Sequence, residues 1–553
     1  MGRYIDDGQN HFRIEYRTPL GGIDSSAPPQ FIADNALVSA TNILIRNGTY
    51  VPAQPQQLTS TGLPNNEALL GFGSLPFLAG NGSIVQYDPV GIFAITLSGT
   101  SGALTIKAYQ ADDITGGWVL IGTQTDAGAG PVGRLTYVTV NQVVYFSAPG
   151  LTSIYSLSLV TGSVTFAFQL GVLTTALGCN YIGEMNGRLL AINVWQFVSG
   201  TGTVNSPYQV AWSAAGQQYG IWNVLDINGN PTGAGFNNLP DVEDVLTGAQ
   251  FIGPTAYLYR QQGITEVTPL NSGIDPFDFN HLWASEHGIG CPFDNTMSQY
   301  GSEGAFVSDV DVFTMGLAGI NQIGGVAKNA IFSDIYKSLR PGFALCTPLV
   351  VNGEPELCYI LLLQQPAAGG FFLNIFWVYS YVSKQWTRMT LLLNNTLSIR
   401  DCRTVYKYIL DGVTPTTNAT YNQPVWAFQQ SGAAPIFYTM PDPPNSDTTA
   451  SQLVFPVELI APFRDITIDC IVVWTPATDS STVNPSISGT DYETIDVDTP
   501  DPKAEGSQYF RAFLANKAAA NTFRSPQLTI NGVGTAPLGH IIIYGTQVPS
   551  RPV

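Results

Sequence analysis

The sequence predicts an all-β protein: a β-propeller of six to eight blades, seven favoured, with an extended N-terminal arm and a small C-terminal β-sheet or sandwich region. Three observations predict it. Short apolar or alternating runs recur along the chain, separated by Gly, Asn, Asp, Pro or Ser, which is the period-2 pattern of hairpins. Gly (56) and Pro (37) are frequent while charged residues make up only 11% of the 553 residues, so the Glu, Lys and Arg that usually cover helices are scarce. The hairpins also recur in step: their leading strands start near residues 85, 141, 187, 255, 304, 357 and 425. That spacing brackets one four-stranded blade of about 40–50 residues, with insertions in the longer units.

The first 59 residues read as an extended arm. GGIDSSAPPQFIADNALVSATN (21–42) carries two adjacent prolines and mixed polarity, with one short helical turn expected near Asp34–Ser39. Residues 60–440 form the propeller. SIVQYDPVGIFAITLSG (83–99), LTYVTVNQVVYFSAPG (135–150), GRLLAINVW (187–195) and FFLNIFWVYSYV (371–382) are typical of its strands. PDPPNSDTTAS (441–451) is the best domain break. Beyond it, residues 441–553 alternate strongly as a β domain packed on the propeller, and DYETIDVDTPDPKAEG (491–506) reads as an exposed acidic loop.

Composition narrows the function. With 28 Phe, 25 Tyr and 9 Trp the chain is far too aromatic for a solvated tail. Its net charge is −18, from 22 Lys plus Arg against 40 Asp plus Glu, and no cationic run occurs. Gripping a nucleic-acid backbone needs clustered cations, so that class is excluded. No apolar h-region opens the chain and no apolar run nears the roughly 18 residues of a membrane span, so no membrane anchor is expected. The six cysteines are scattered, with no CxxC, and read as buried reduced thiols suited to folding in a reducing cytoplasm.

Chemistry-bearing patterns are sparse. The four histidines, among them His281 and His287, lack any zinc-ligand spacing, and the acidic run at 491–501 lacks the Gly and Glu of an EF-hand loop. There is no GxSxG and no phosphate-binding glycine loop. Asp309 and Asp311 alternate as a carboxylate pair on one strand face, and Asp241, Glu243 and Asp244 are separate candidates for glycoside hydrolysis, but sequence does not show a cross-blade partner for either set. No enzyme activity, cofactor or metal is therefore expected.

The strongest lead is an ordered set of segments. GGIDSSAPPQFIADNALVSATNILIRNGTYVPAQP (21–55), VAWSAAGQQYGIWNV (210–224), EHGIGCPFDNTMSQYGSEGAFVSDVDVFTMGLAGINQIGG (286–325), KQWTRM (384–389) and FRSPQLTINGVGTAPLGHIIIYG (523–545) follow one another in order. Together they resemble the tail nozzle, or tail tubular, proteins of short-tailed bacteriophages. VPAQP (51–55) departs from the Arg-Pro-Gly more usual there.

The resemblance implies a structural virion protein, assembled in the host cytoplasm. It would form a homohexameric ring below the portal and tail adaptor, continue and gate the DNA ejection channel, and anchor tail fibres or spikes. DNA would pass without specific binding, which an acidic wall favours. The acidic segments Asp241, Glu243 and Asp244, and Asp491, Glu493, Asp496 and Asp498, are the candidate channel-facing residues. Ile23, Asp24, Pro28, Pro29 and Phe31 are the candidate arm contacts to a neighbouring subunit or the adaptor, with an intramolecular strand that closes the propeller as the alternative. The other reading of the whole chain is a glycan-binding receptor-recognition propeller.

Overall fold

The computed structural model describes residues 11–16, 22–26, 36–46, 49–53, 55–58, 63–75, 78–79, 86–87, 91–100, 103–111, 117–128, 131–159, 168–174, 177–198, 202–216, 219–239, 244–270, 275–283, 289–338, 342–351, 354–407 and 421–440. It also describes the C-terminal strands between 452 and 547 named below, as backbone.

Seven four-stranded antiparallel sheets follow one another in the chain. Blade 1 is Ala68–Leu75, Gly91–Thr100, Ala103–Ala111 and Val119–Asp126. Blade 2 runs Thr136–Val140, Val143–Ser147, Ile154–Leu159, Phe168–Thr174; blade 3, Leu177–Met185, Arg188–Val198, Gly202–Trp212, Gly235–Asn238. Blade 4 is Leu246–Ile252, Thr255–Arg260, Ile264–Pro269, Phe277–Trp283, and blade 5 is Ser298–Tyr300, Glu303–Val307, Val312–Gly316, Gly319–Gln322. Blade 6 comprises Phe343–Val351, Glu354–Ala367, Phe371–Ser380 and Trp386–Asn394. Blade 7 takes only three strands from its own stretch, Ser398–Lys407, Tyr421–Gln429 and Ile436–Thr439. Its outermost strand is Gln56–Leu58, so the start of the chain closes the ring.

Tight turns set the registers. Asn186 (φ 52°) and Gly187 (φ 70°) make the two-residue turn that pairs Met185 with Arg188, and Asn141 (φ 48°) with Gln142 (φ 66°) does the same between Val140 and Val143. Positive φ at both central residues matches the strand twist, which is why Asn and Gly sit there.

The core is a set of wedges, each between adjacent blades. Phe93, Leu104, Phe146 and Leu157 fill the wedge between blades 1 and 2. Phe72 meets Phe437 edge-on at 5.5 Å across the closing seam between blades 1 and 7, with Leu58 packed alongside. Phe376 and Trp426 do the same at 5.1 Å between blades 6 and 7.

One ion pair sits inside blade 1. Glu67 accepts from Thr96 Oγ1 at 2.5 Å, Tyr109 Oη at 3.0 Å and Lys107 Nζ. Burial pushes its carboxyl up, but the bonds from Lys107, Thr96 and Tyr109 outweigh this and hold it below 4.5. A carboxylate held low in the folded state adds stability above its unfolded value, and that stability is lost as pH falls through the folded value. Glu67→Gln is expected to flatten the decline of melting temperature below pH 4.5; an unchanged acid slope would refute this.

Helix α1 (Lys328–Lys337) lies between blades 5 and 6, and its own N-cap position, Ala327, supplies no side-chain cap. The arm provides one instead: Ala330 N donates to Ser25 Oγ at 3.2 Å while Ser25 Oγ donates to Val326 O at 2.9 Å. Ser25→Ala is expected to cost about 1 kcal/mol, the usual value of a helix cap, measured as a loss in urea unfolding free energy. No change would mean that the cap contributes nothing.

The arm continues through the fold rather than away from it. Gly22 N donates to Gln385 Oε1 at 2.9 Å and Ile23 N to Trp386 O at 3.2 Å. Asn42, at φ 57°, clasps the outer strand of blade 6: its N–H donates to Arg388 O at 3.0 Å and its Oδ1 accepts from Thr390 N at 2.7 Å. The hairpin Ile43–Arg46 with Thr49–Pro52 follows, with Leu44 and Ala53 buried in the wedge between blades 6 and 7. The expected helical turn near Asp34–Ser39 is not formed over the described part, where Ser39–Thr41 is a strand. It pairs with Gln452–Pro456, which demands extended backbone.

That pairing places the arm in a ten-stranded sheet with the end of the chain. Its order is His11–Tyr16, His540–Gln547, Ile466–Pro476, Gln508–Ala515, Thr490–Pro500, Asn484–Ile487, Gln527–Asn531, Gln452–Pro456, Ser39–Thr41, with Thr522–Phe523 beside Ile466–Pro476. N-terminal segments occupy both ends of this order.

Candidate functional site

The first strand of each blade faces the propeller axis, where a cavity of about 860 Å³ opens. A second cavity of about 660 Å³ lies beyond it. Gly133, Arg134 and Asn295 line both.

Arg134 separates them. It enters just before the first strand of blade 2, and its side chain crosses the axis. Nε donates to Asp401 Oδ1 at 2.6 Å and Nη2 to Cys402 O at 2.7 Å on blade 7, while Nη1 reaches Asn295 O at 3.4 Å ahead of blade 5. The guanidinium also lies 5.4 Å from the Phe343 ring centroid of blade 6. A planar five-donor fork suits this bridging role better than the point charge of a lysine.

Asp401 is the fully buried acceptor at the centre. Besides Arg134 it takes Arg403 Nε at 3.0 Å, Phe72 N at 3.2 Å and its neighbour Cys402 N at 2.9 Å. Gly71 makes room for it: a Cβ there would stand 2.6 Å from Leu135 Cβ and 2.7 Å from Asp401 Oδ2. Arg403 also donates Nη2 to Leu135 O and lies 5.1 Å over the Tyr137 ring, which supports its charge. Burial opposes the Arg134 charge, yet Cys402, Asp401 and Asp294 around it hold the guanidinium above its ordinary value.

Asp294, Glu184 and Cys346 also line the larger cavity. Asp294 accepts from Tyr181 Oη at 3.3 Å, and burial pushes its carboxyl up against the opposing effects of Asn295, Tyr181 and Arg134. Glu184 on blade 3 accepts from Gly187 N at 2.7 Å. Burial pushes the Cys346 thiol up to about 12, which leaves it protonated and a poor nucleophile near neutral pH.

Of the channel-facing and arm candidates read from the sequence, Ile23, Asp24 and Asp244 have described side chains, and none of the three lines this cavity. Asp244 is a correction: it is buried instead of lining an open channel, because its Oδ1 and Oδ2 cap Gln261 N (3.0 Å) and Gln262 N (2.7 Å). Asp241 and Glu243 lie outside the described residues. Asp491, Glu493, Asp496 and Asp498 are also corrected, from loop to strand: Thr490–Pro500 pairs with Gln508–Ala515, with irregularities around Asp496 that the uneven acidic spacing concealed. Asp311 is buried and bonded to Val312 N at 2.7 Å and Gln322, with Lys328 at 3.4 Å, so it serves a turn and forms no exposed pair with Asp309.

Ile23 is buried within the chain, and Asp24 accepts from Ser26 N at 2.9 Å and Oγ at 2.6 Å. Ile23 forms an isolated bridge with Leu37 and its side chain is buried, while the strand that closes the propeller is Gln56–Leu58. Pro28, Pro29 and Phe31 lie outside the described residues. Among the described residues, no group of three or more His, Cys, Asp or Glu is placed to hold a metal. His281 is on the last strand of blade 4, its Nδ1 2.9 Å from Thr265 Oγ1. The signal that marks the axial residues is charge inside apolar strands: SIRDCRTVY (398–406), preceded far upstream by the lone arginine of PVGRLTYV (131–138).

No family model matches the chain, and no curated protein matches it. Among solved structures, the chain is similar to that of YjhT, at 10% identity over 59% of this chain and 95% of that one, with a TM-score of 0.31. It is also similar to the crystal structure of Sqt1 from Chaetomium thermophilum, at 9% identity over 70% of this chain and 99% of that one, with a TM-score of 0.35. The seven sheets themselves define the propeller.

Proposed function

We propose that this protein is a structural component of a virion, the tail nozzle subunit of a short-tailed bacteriophage. Six copies would form a ring below the portal and tail adaptor, extend and gate the DNA ejection channel, and anchor tail fibres or spikes. The observation that carries the reading is the order of parts: an N-terminal arm woven through blades, a propeller, and a terminal sheet shared by both ends of the chain. The same order underlies the resemblance of segments 21–55, 210–224, 286–325, 384–389 and 523–545.

Two physical features support it. A net charge of −18 keeps phosphates at a distance rather than trapping them. Arg134 crosses the propeller axis, so in this reading DNA travels through the centre of the ring of subunits and never through a propeller. The proposal is tested by cryo-electron microscopy of the parent particle. Six copies around an axial channel below the adaptor are expected; a position at a fibre tip, or absence from the particle, would overturn it.

A further inference from the structure

The larger axial cavity is a cup with polar groups left over. Arg403 uses Nε and Nη2, and its Nη1 has no protein acceptor among the described residues. Ser298 accepts Cys346 N at 2.7 Å through Oγ and keeps its own hydroxyl proton unspent. The Asn295 amide makes no side-chain bond among the described residues, and Glu184 commits only Oε1. These four side chains come from blade 7, the approach to blade 5, blade 5 itself and blade 3, and all line one cavity.

We propose that this cup binds a small neutral sugar. Its volume of about 860 Å³ falls in the range of small-molecule pockets, about 300–1,000 Å³. Sugar hydroxyls both donate and accept, which suits a wall that alternates donors (Arg403, Ser298), an acceptor (Glu184) and an amide that does both (Asn295). Charge selects against anionic ligands. Arg134 and Arg403 are balanced by Asp401 and Asp294 at the floor, so no excess positive charge remains for a carboxylate or phosphate. Arg134 stands between this cup and the second cavity, lining both. This site is independent of assembly and stands or falls apart from the nozzle reading.

The test uses the full chain and saturation-transfer NMR with glucose, galactose, mannose and N-acetylglucosamine at millimolar concentration. Galacturonate and galactosamine serve as charged comparators. At least one neutral sugar is expected to bind, more tightly than either charged comparator. Glu184→Gln keeps an oxygen for Gly187 N and is expected to weaken binding about ten-fold, the value of one hydrogen bond to a charged group. Ala249→Phe, which fills the cup from the first strand of blade 4, is expected to abolish it. Binding by none of the neutral sugars would overturn the proposal. So would tighter binding of a charged comparator, or binding unchanged in both variants.

Discussion

Asp401→Ala is expected to destabilise the protein by about 3–5 kcal/mol, the cost of removing one partner from a buried ion pair. The carboxylate is fully buried and takes four donors at once: Arg134, Arg403, Phe72 N and Cys402 N. Its loss takes the ionic partner from two guanidiniums and the acceptor from two amides, leaving the guanidiniums their bonds to the Cys402, Asn295 and Leu135 carbonyls across the axis. Arg134→Met is expected to cost less, because Asp401 keeps Arg403 and both amides while the methionine stem still fills the axis. Urea unfolding of the two single variants and the double variant separates the terms, since residues in one network are non-additive. Equal losses for the two single variants, or a loss at Asp401 below 1 kcal/mol, roughly the worth of an exposed pair, would sink this account of the axis.

Removing residues 1–60 is expected to have a larger effect still, yielding chain that is insoluble or rapidly cleaved by protease. Blade 7 would lose Gln56–Leu58, leaving Ile436–Thr439 as an open edge, and the seam around Phe437 would lose Leu58. Leu44 and Ala53 would leave the wedge between blades 6 and 7, Asn42 would release the edge of blade 6, and α1 would lose its cap. The terminal sheet would lose Ser39–Thr41 from one end and His11–Tyr16 from the other. Exposed strand edges are templates for aggregation. Soluble yield and limited proteolysis against the full chain read the outcome. A soluble, protease-resistant truncated chain would show that the propeller closes without its first strand.

The blades were legible because alternation and turn residues mark them, though one strand late. The runs at 141, 187, 255, 304 and 357 correspond to the second strands, beginning at Val143, Arg188, Thr255, Glu303 and Glu354. Second strands follow the Asn and Gly turns and carry strong patterns, such as RLLAINVWQFV at 188–198. First strands face the axis on one edge and carry glycines, as in ALLGFGSL at 68–75, so their pattern is weaker. The axial cluster escaped for a related reason. Arg134, Asn295 and the Asp401–Arg403 pair come from three distant stretches of chain and meet only once the ring is closed, so the charges of SIRDCRTVY (398–406) do not by themselves announce their partners. The acidic clusters drew attention because they are local, and Asp244 shows that local acidity marks a capped turn as readily as an exposed wall.

The strand that completes blade 7 has a consequence for synthesis. Gln57 lies 381 residues before its partner Tyr438. At about 5–20 residues per second, the opening segment waits about 20–75 seconds for that partner to be made. During that interval blades 1 to 6 can form locally, in the order of translation, while the ring has no closing strand. Blade 7 is therefore completed by a segment synthesised well before its partner, and that segment stays undocked until Ile436–Thr439 has been made.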